Sequence, residues 1–243
     1  MPEPKPKTRA ERFMVAFAKA ESALEDLLGT GPGNSFRWLA RQAAKRDPLV
    51  RSVEDDLMEL SELRNAIVHD RGGGYVIADP HEETVERLEK IVQLITDPPR
   101  IDEVMSRPVI SCGPDEPVAD AARRMVDGDF SRLPVYSEDG AFLGLLTANA
   151  IARWVATRLA GAVNSMEEEP VSAVLEYGDA GRRFEVVDRR RLVTEVVSLF
   201  VNAPREGRRL EAVLVTPTGE AAERPMGIVT IQDLPRLYAL ITP

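Results

Sequence analysis

The sequence predicts an α+β protein of two domains: an N-terminal four-helix bundle, then a mixed domain in which one strand-and-helix motif is used twice. Three observations carry this. Apolar residues recur at spacings of three and four from Arg9 to about residue 96, which is the helical period. The run Asp97-Pro98-Pro99-Arg100 then stops any helix, because consecutive prolines hold the chain extended. Beyond it, short apolar runs alternate with amphipathic stretches. Two of these runs match, Phe142-Leu143-Gly144-Leu145-Leu146-Thr147 and Pro225-Met226-Gly227-Ile228-Val229-Thr230, each crossed by one Gly and ending on Thr.

Taken in order, residues 1 to 8 form a Pro/Lys tail without apolar anchors, expected to be mobile. The helical domain spans 9 to 96. Its first helix carries Phe13, Phe17, Ala20, Leu24, Leu27 and Leu28, and Gly29-Thr30-Gly31-Pro32-Gly33 ends it. Asn34 or Ser35 caps a second helix through Lys45. Asp47-Pro48 starts a third, running to about His69. Gly72-Gly73-Gly74 closes that helix, Tyr75-Val76-Ile77 forms a brief extended piece, and Asp79-Pro80 opens a fourth. Short joints between four helices imply a bundle.

Residues 97 to 100 are the linker. The first repeat spans 101 to 163: a strand at Pro108 to Ser111, a helix at Pro117 to Asp127, strands at Leu133 to Tyr136 and Phe142 to Leu146, and a helix over 148 to 160. An acidic linker, 164 to 170, leads to the second repeat, 171 to 243. There the strand Phe184 to Val187, the helix Leu192 to Phe200, the strands Ala212 to Val215 and Gly227 to Thr230, and the helix Ile231 to Ile241 follow the same order.

Composition narrows the function. A net charge of −9 argues against a general nucleic-acid coat and gives no reason to expect DNA. No apolar stretch approaches the ~20 residues of a membrane span, and the first twelve residues are polar rather than signal-like, so a cytoplasmic protein is expected. The single Cys112 excludes an internal disulfide and reads as a packed thiol, and two histidines give little material for a metal site.

The informative chemistry lies where the last strand of each repeat enters its helix. A helix N-terminus has unpaired N–H groups and the positive end of its dipole, which favour an anion. Thr230 adds a hydroxyl there, and Asp233, one turn later, can accept from the hydroxyls of a sugar. The plainer alternative is a helix cap. In the first repeat Thr147 holds the same place, followed by Asn149, with Ala150 where the carboxylate would be.

Gly227-Ile228-Val229-Thr230-Ile231-Gln232-Asp233, the strand opening Arg132-Leu133-Pro134-Val135, and the paired openings Ile101-Asp102-Glu103-Val104-Met105 and Val171-Ser172-Ala173-Val174-Leu175 together resemble a tandem pair of CBS domains, a Bateman module, over roughly residues 100 to 241. The resemblance implies βαββα repeats joined about a pseudo-twofold axis, with an adenine nucleotide (AMP, ATP or a cyclic dinucleotide) as regulatory ligand; from the composition, no metal is expected. It places Thr230 and Asp233 in one cleft, with Arg132 on the phosphate and Val109 and Ile110 walling the adenine. Thr147 and Asn149 mark the second cleft, whose cation would be Arg208 or Arg209.

Leu63-Arg64-Asn65-Ala66-Ile67-Val68-His69-Asp70, within the four-helix pattern, resembles the Arg-x4-to-6-His signature of HEPN domains. That resemblance implies a homodimer. In the RNA-cleaving members it implies metal-independent endoribonuclease chemistry on an RNA partner, with His69 as acid or base, Arg64 on the phosphate and Asn65 beside them. Many such domains are interaction modules, and an Arg and a His also suit the negative end of a helix. The sequence thus points first to an adenine-nucleotide-sensing regulator coupled to a dimerising helical domain. A nucleotide-regulated ribonuclease and an oligomerisation scaffold with degenerate pockets are the alternatives.

Overall fold

Local capping explains where the first three helices start. In the computed structural model, which describes residues 8–68, 79–159, 168–178 and 184–243, helix α1 (Arg9–Leu28) begins at a reciprocal cap. Thr8 Oγ1 accepts from the Glu11 N–H while the Glu11 carboxylate accepts from the Thr8 N–H. Gly29, at φ 66°, ends it in the left-handed conformation that glycine adopts without penalty. Ser35 caps α2 (Phe36–Arg46). Asp47 then accepts from the N–H groups of Leu49 and Val50 to start α3 (Pro48–Ser52).

The single third helix expected from the sequence is two. Val53, at φ −116° and ψ 13°, leaves helical geometry, and α4 (Glu54–Val68) begins after it. Its side chain is buried, while the Ser52 hydroxyl donates to the Leu49 carbonyl, a local bond that competes with the helix ladder. Helix α5 (Glu82–Thr96) completes this unit and packs along α1. Phe13, Phe17, Leu24, Leu39, Leu57, Leu88 and Ile91 fill the core between the helices. His69, the Gly72 to Gly74 stop and the Tyr75 to Ile77 piece lie outside the described residues, as do 164–167 of the acidic linker. Among the described residues no helix is long and apolar enough to cross a membrane.

The chain divides into one unit of Met1–Pro99 with Tyr238–Pro243 and a second of Arg100–Leu237. The second unit holds the repeats as far as Leu237, within α11. The first repeat is α6 (Ile101–Val104), α7 (Val118–Asp127), β1 (Arg132–Tyr136), β2 (Phe142–Thr147) and α8 (Ala148–Leu159). The second is α9 (Val171–Leu175), β3 (Phe184–Asp188), α10 (Val193–Asn202), β4 (Ala212–Thr216), β5 (Gly227–Thr230) and α11 (Leu234–Ile241), with a 3-10 turn, Ile231–Asp233, ahead of α11.

The two antiparallel pairs share one register. Arg132 faces Thr147 and Val135 faces Gly144 in β1–β2, as Ala212 faces Thr230 and Val215 faces Gly227 in β4–β5. In the second repeat β3 adds parallel to β4. The corresponding strand expected at Pro108 to Ser111 does not form. Pro108 has no N–H to give a ladder, and the parallel pairing is reduced to one residue: Cys112 donates to the Pro134 carbonyl and accepts from the Tyr136 N–H.

Each repeat opens against the other. Ile101 N–H donates to the Arg191 carbonyl, where α10 begins, and Val171 N–H donates to the Glu116 carbonyl, where α7 begins. Farther along, Met105 lies on Gly227, where an added Cβ would stand 2.1 Å from its Sδ, and Leu175 lies on Gly144 at 3.5 Å. The glycine of each apolar run is thus where the partner repeat's opening helix crosses. Ser106 then continues as a one-residue strand beside β5, exchanging both backbone hydrogen bonds with Ile228 at 3.0 Å.

Candidate functional site

That crossing leaves a cavity of about 220 Å³ beside the end of β5. Ser106, Pro108, Val109 and Ile110 form one wall, Phe130 to Arg132 and Pro134 a second, and Ile228, Thr230, Gln232 and Asp233 the third. Five residues singled out in the sequence, Val109, Ile110, Arg132, Thr230 and Asp233, therefore meet at one place. The walls are mainly apolar, and Ile110, 44% exposed, stands at the open side.

The polar groups are already engaged with one another. Asp233, with 16% of its side chain exposed, takes the Thr230 N–H (2.7 Å) and hydroxyl (3.0 Å) on Oδ2. Its Oδ1 takes the Ser106 hydroxyl (3.1 Å) and the Arg236 guanidinium (3.2 Å). An ionised carboxylate offers about four acceptor positions, so all are occupied. Two of the donors are hydroxyls, which turn easily, and a sugar hydroxyl gains Asp233 when Thr230 or Ser106 rotates away. Arg236 also donates to the Val104 carbonyl at 2.6 Å, tying the first turn of α11 to the end of α6.

Among the described residues, Arg132 is the one cationic side chain lining the cavity. The CBS resemblance would put it on a phosphate; in the structure its Nε meets Glu211 Oε2 at 3.3 Å and its Nη1 donates to Ser131 Oγ at 3.0 Å. Both charged side chains are largely buried, at 17% and 13% exposure. Glu211 stands just ahead of β4, as Ser131 stands just ahead of β1, so Arg132 meets the residue of the second repeat that matches its own neighbour, Ser131.

Thr147 and Asn149 do not line this cavity. Thr147 is buried and its Oγ1 accepts from the Ala150 N–H at 3.0 Å, a cap on α8; Asn149 is exposed. The shared register puts Ala212, without charge, at the place matching Arg132. Arg208, a cation the sequence offered for the second cleft, is instead paired with Glu206 and Glu185, both at 2.7 Å, and Arg209 is exposed.

In the helical unit, Arg64 lies over the Phe17 ring at 5.8 Å and donates to Asn65 Oδ1 at 3.3 Å. Its Nε is buried with no hydrogen-bond partner among the described residues. Asn65 is exposed, and His69 lies outside the described residues, so the described geometry does not extend to the Arg64–Asn65–His69 grouping.

Sequence reasoning missed Ser106, Glu211 and Arg236. Arg236 carried a signal, since it follows Asp233 by three positions and such pairs share a helix face. Ser106 and Glu211 reach the site from 127 and 79 positions away from their partners and carried none.

Comparison with known proteins bears on the same stretch. The CBS domain family model matches residues 101–157. Homoserine O-acetyltransferase of Methanohalobium evestigatum is 34% identical over 68 residues, 28% of this chain and 14% of that protein, so the chain spans only a small part of that relative. The uncharacterized protein MJ1225 of Methanocaldococcus jannaschii is 25% identical over 218 residues, 81% of this chain and 72% of that protein. Among solved structures, the CBS domain pair of protein MJ0100, in complex with 5′-methylthioadenosine and S-adenosyl-L-methionine, is 20% identical with a TM-score of 0.42, covering 58% of this chain and 97% of that one. The structure of MJ1225 is 24% identical with a TM-score of 0.45, covering 63% and 53%.

Proposed function

We propose, taking the CBS match over residues 101–157 as the premise, that residues 101–243 form a regulatory module whose ligand carries adenosine. In this reading the ligand occupies the cavity beside β5, and the helical domain, HEPN-like and dimeric, responds to its occupancy. The observation that carries the reading is the meeting of Val109, Ile110, Arg132, Thr230 and Asp233, from three separate stretches, around one cavity. Apolar side chains favour the flat face of a base, and a few convergent polar groups fix its orientation. Asp233 and its two rotatable hydroxyl partners suit the ribose.

Calorimetry on the full chain tests it. The probes are adenosine, 5′-methylthioadenosine, S-adenosyl-L-methionine, AMP and ATP. At least one binds with one site in this cavity per chain, and Asp233→Ala abolishes that heat while the variant stays folded by circular dichroism. Absence of heat with every probe overturns the reading. Sedimentation with and without the bound probe reports whether the assembly state answers to occupancy.

A further inference from the structure

We infer that the outer face of α2, in the helical unit and apart from the adenosine reading, is a docking surface for single-stranded nucleic acid. Helix α2 carries Arg37, Arg41, Lys45 and Arg46 and no acidic residue in its 11 positions. Its inner side, with Phe36, Leu39, Ala40, Ala43 and Ala44, is buried in the core of the bundle, which turns the opposite side outward. Arg37, Arg41 and Lys45 stand four apart on that outer side and form one row, about 6 Å per step along the axis. All three are exposed and line an open groove of about 840 Å³, together with Trp38, Arg51 from α3 and Glu54 from α4.

The row does not serve the helix. Like charges four apart destabilise a helix, and Arg37 stands in the first turn, where the helix dipole disfavours a cation. Arg37 meets Glu62 at 2.8 Å in an ion pair that is exposed on both sides. Such a pair is worth little, so a phosphate can take the place of Glu62. Arg51 has another task, donating to the Ala44 and Lys45 carbonyls at the end of α2. Three cations in line therefore remain to follow a string of phosphates.

Trp38 distinguishes the partner. Its side chain is left 41% exposed beside the cations. An unpaired base can stack its flat face on the indole while the adjoining phosphates reach the row, an arrangement that tolerates any sequence. A lipid headgroup or an acidic peptide supplies the charge without the ring, and a duplex keeps its base faces covered.

The test is a fluorescence titration of the full chain with a mixed-sequence oligonucleotide of about twelve nucleotides, as RNA, as DNA and as duplex. Inorganic polyphosphate is the base-free control. Trp154, the other tryptophan, is only 2% exposed, so quenching by acrylamide reports on Trp38. At least one of the two single strands is expected to bind and to shield Trp38 from acrylamide. Log affinity is expected to fall with log salt at a slope of about −2, as three phosphate contacts give, and at about −0.7 when Arg41→Gln and Lys45→Gln are combined. Trp38→Ala is expected to weaken binding at least fivefold, and Trp38→Phe to recover most of the loss. Polyphosphate or duplex bound as tightly as the single strands overturns the inference, as does a salt slope that the double variant leaves unchanged, or no binding of either single strand. If Trp38→Ala does not fold, shielding of Trp38 in the wild type decides the stacking.

Discussion

Ser106 and Asp233 stand 127 positions apart and are joined by a hydrogen bond of 3.1 Å from the serine hydroxyl to Oδ1 of the carboxylate. This bond ties the end of the first repeat's opening to the turn that starts α11. It also occupies one of the acceptor positions a ribose would use. Replacing Ser106 with Ala removes a competitor as well as a support. The variant is expected to lose about 1 kcal/mol of stability and to bind adenosine severalfold more tightly. Chemical denaturation and calorimetry on the same preparation check both.

The two threonines separate capping from binding. Thr147 Oγ1 accepts from the Ala150 N–H, whereas Thr230 Oγ1 donates to Asp233 and lines the cavity. Thr147→Ala is expected to cost about 0.5–2 kcal/mol, the usual range for a lost N-cap, with adenosine affinity unchanged. Thr230→Ala, which frees Asp233 Oδ2 of a competing hydroxyl as Ser106→Ala frees Oδ1, is expected to tighten adenosine binding severalfold. Equal effects of the two on affinity would contradict the assignment.

Gly227 is required by its neighbour rather than by its own backbone. A Cβ there would stand 2.1 Å from Met105 Sδ and 2.9 Å from Met105 Cβ, so rotating the methionine tip does not clear it. Gly227→Ala is expected to cost about 1–3 kcal/mol, as overpacking does. Met105→Ala should return part of that loss, which a double-mutant cycle measures as a coupling between the two sites.

Alkaline pH should weaken the second unit. Burial pushes the Cys112 thiol from 9.0 up to about 11 and the Tyr136 phenol from 10.0 up to about 12. The folded chain therefore holds these two protons at pH values where the unfolded chain has released them. The stability this represents is intact below pH 9 and declines as pH rises through about 9 to 12, by a few kcal/mol in all. Denaturation midpoints measured across that range should fall, and Cys112→Ala should flatten the lower part of the decline. By the same burial, Cys112 in the native chain should resist thiol reagents near pH 8 and react on unfolding.

The doubled motif was legible because its cues are local: an apolar run, one Gly, a Thr, then a helical period. Those cues placed β2, β5 and the residues at their ends, and the alternation of short runs placed the mixed domain after Pro98-Pro99. What escaped was non-local or masked by chemistry of two uses. Glu211, a charge ahead of an apolar strand, reads as a solvent-facing residue, and its burial against Arg132 depends on the repeats meeting. Pro108 to Ser111 reads as a strand by composition, yet pairing there requires a donor that proline lacks. The break at Val53 hid within a helical period that runs on both sides of it.

The most direct test of the site is a crystal structure of the full chain grown with saturating adenosine. The account predicts the base against Val109, Ile110 and Ile228, the ribose hydroxyls on Asp233, and the Ser106 or Thr230 hydroxyl turned away from that carboxylate. A nucleoside bound elsewhere on the chain, with Asp233 still holding all four of its present donors, would contradict it.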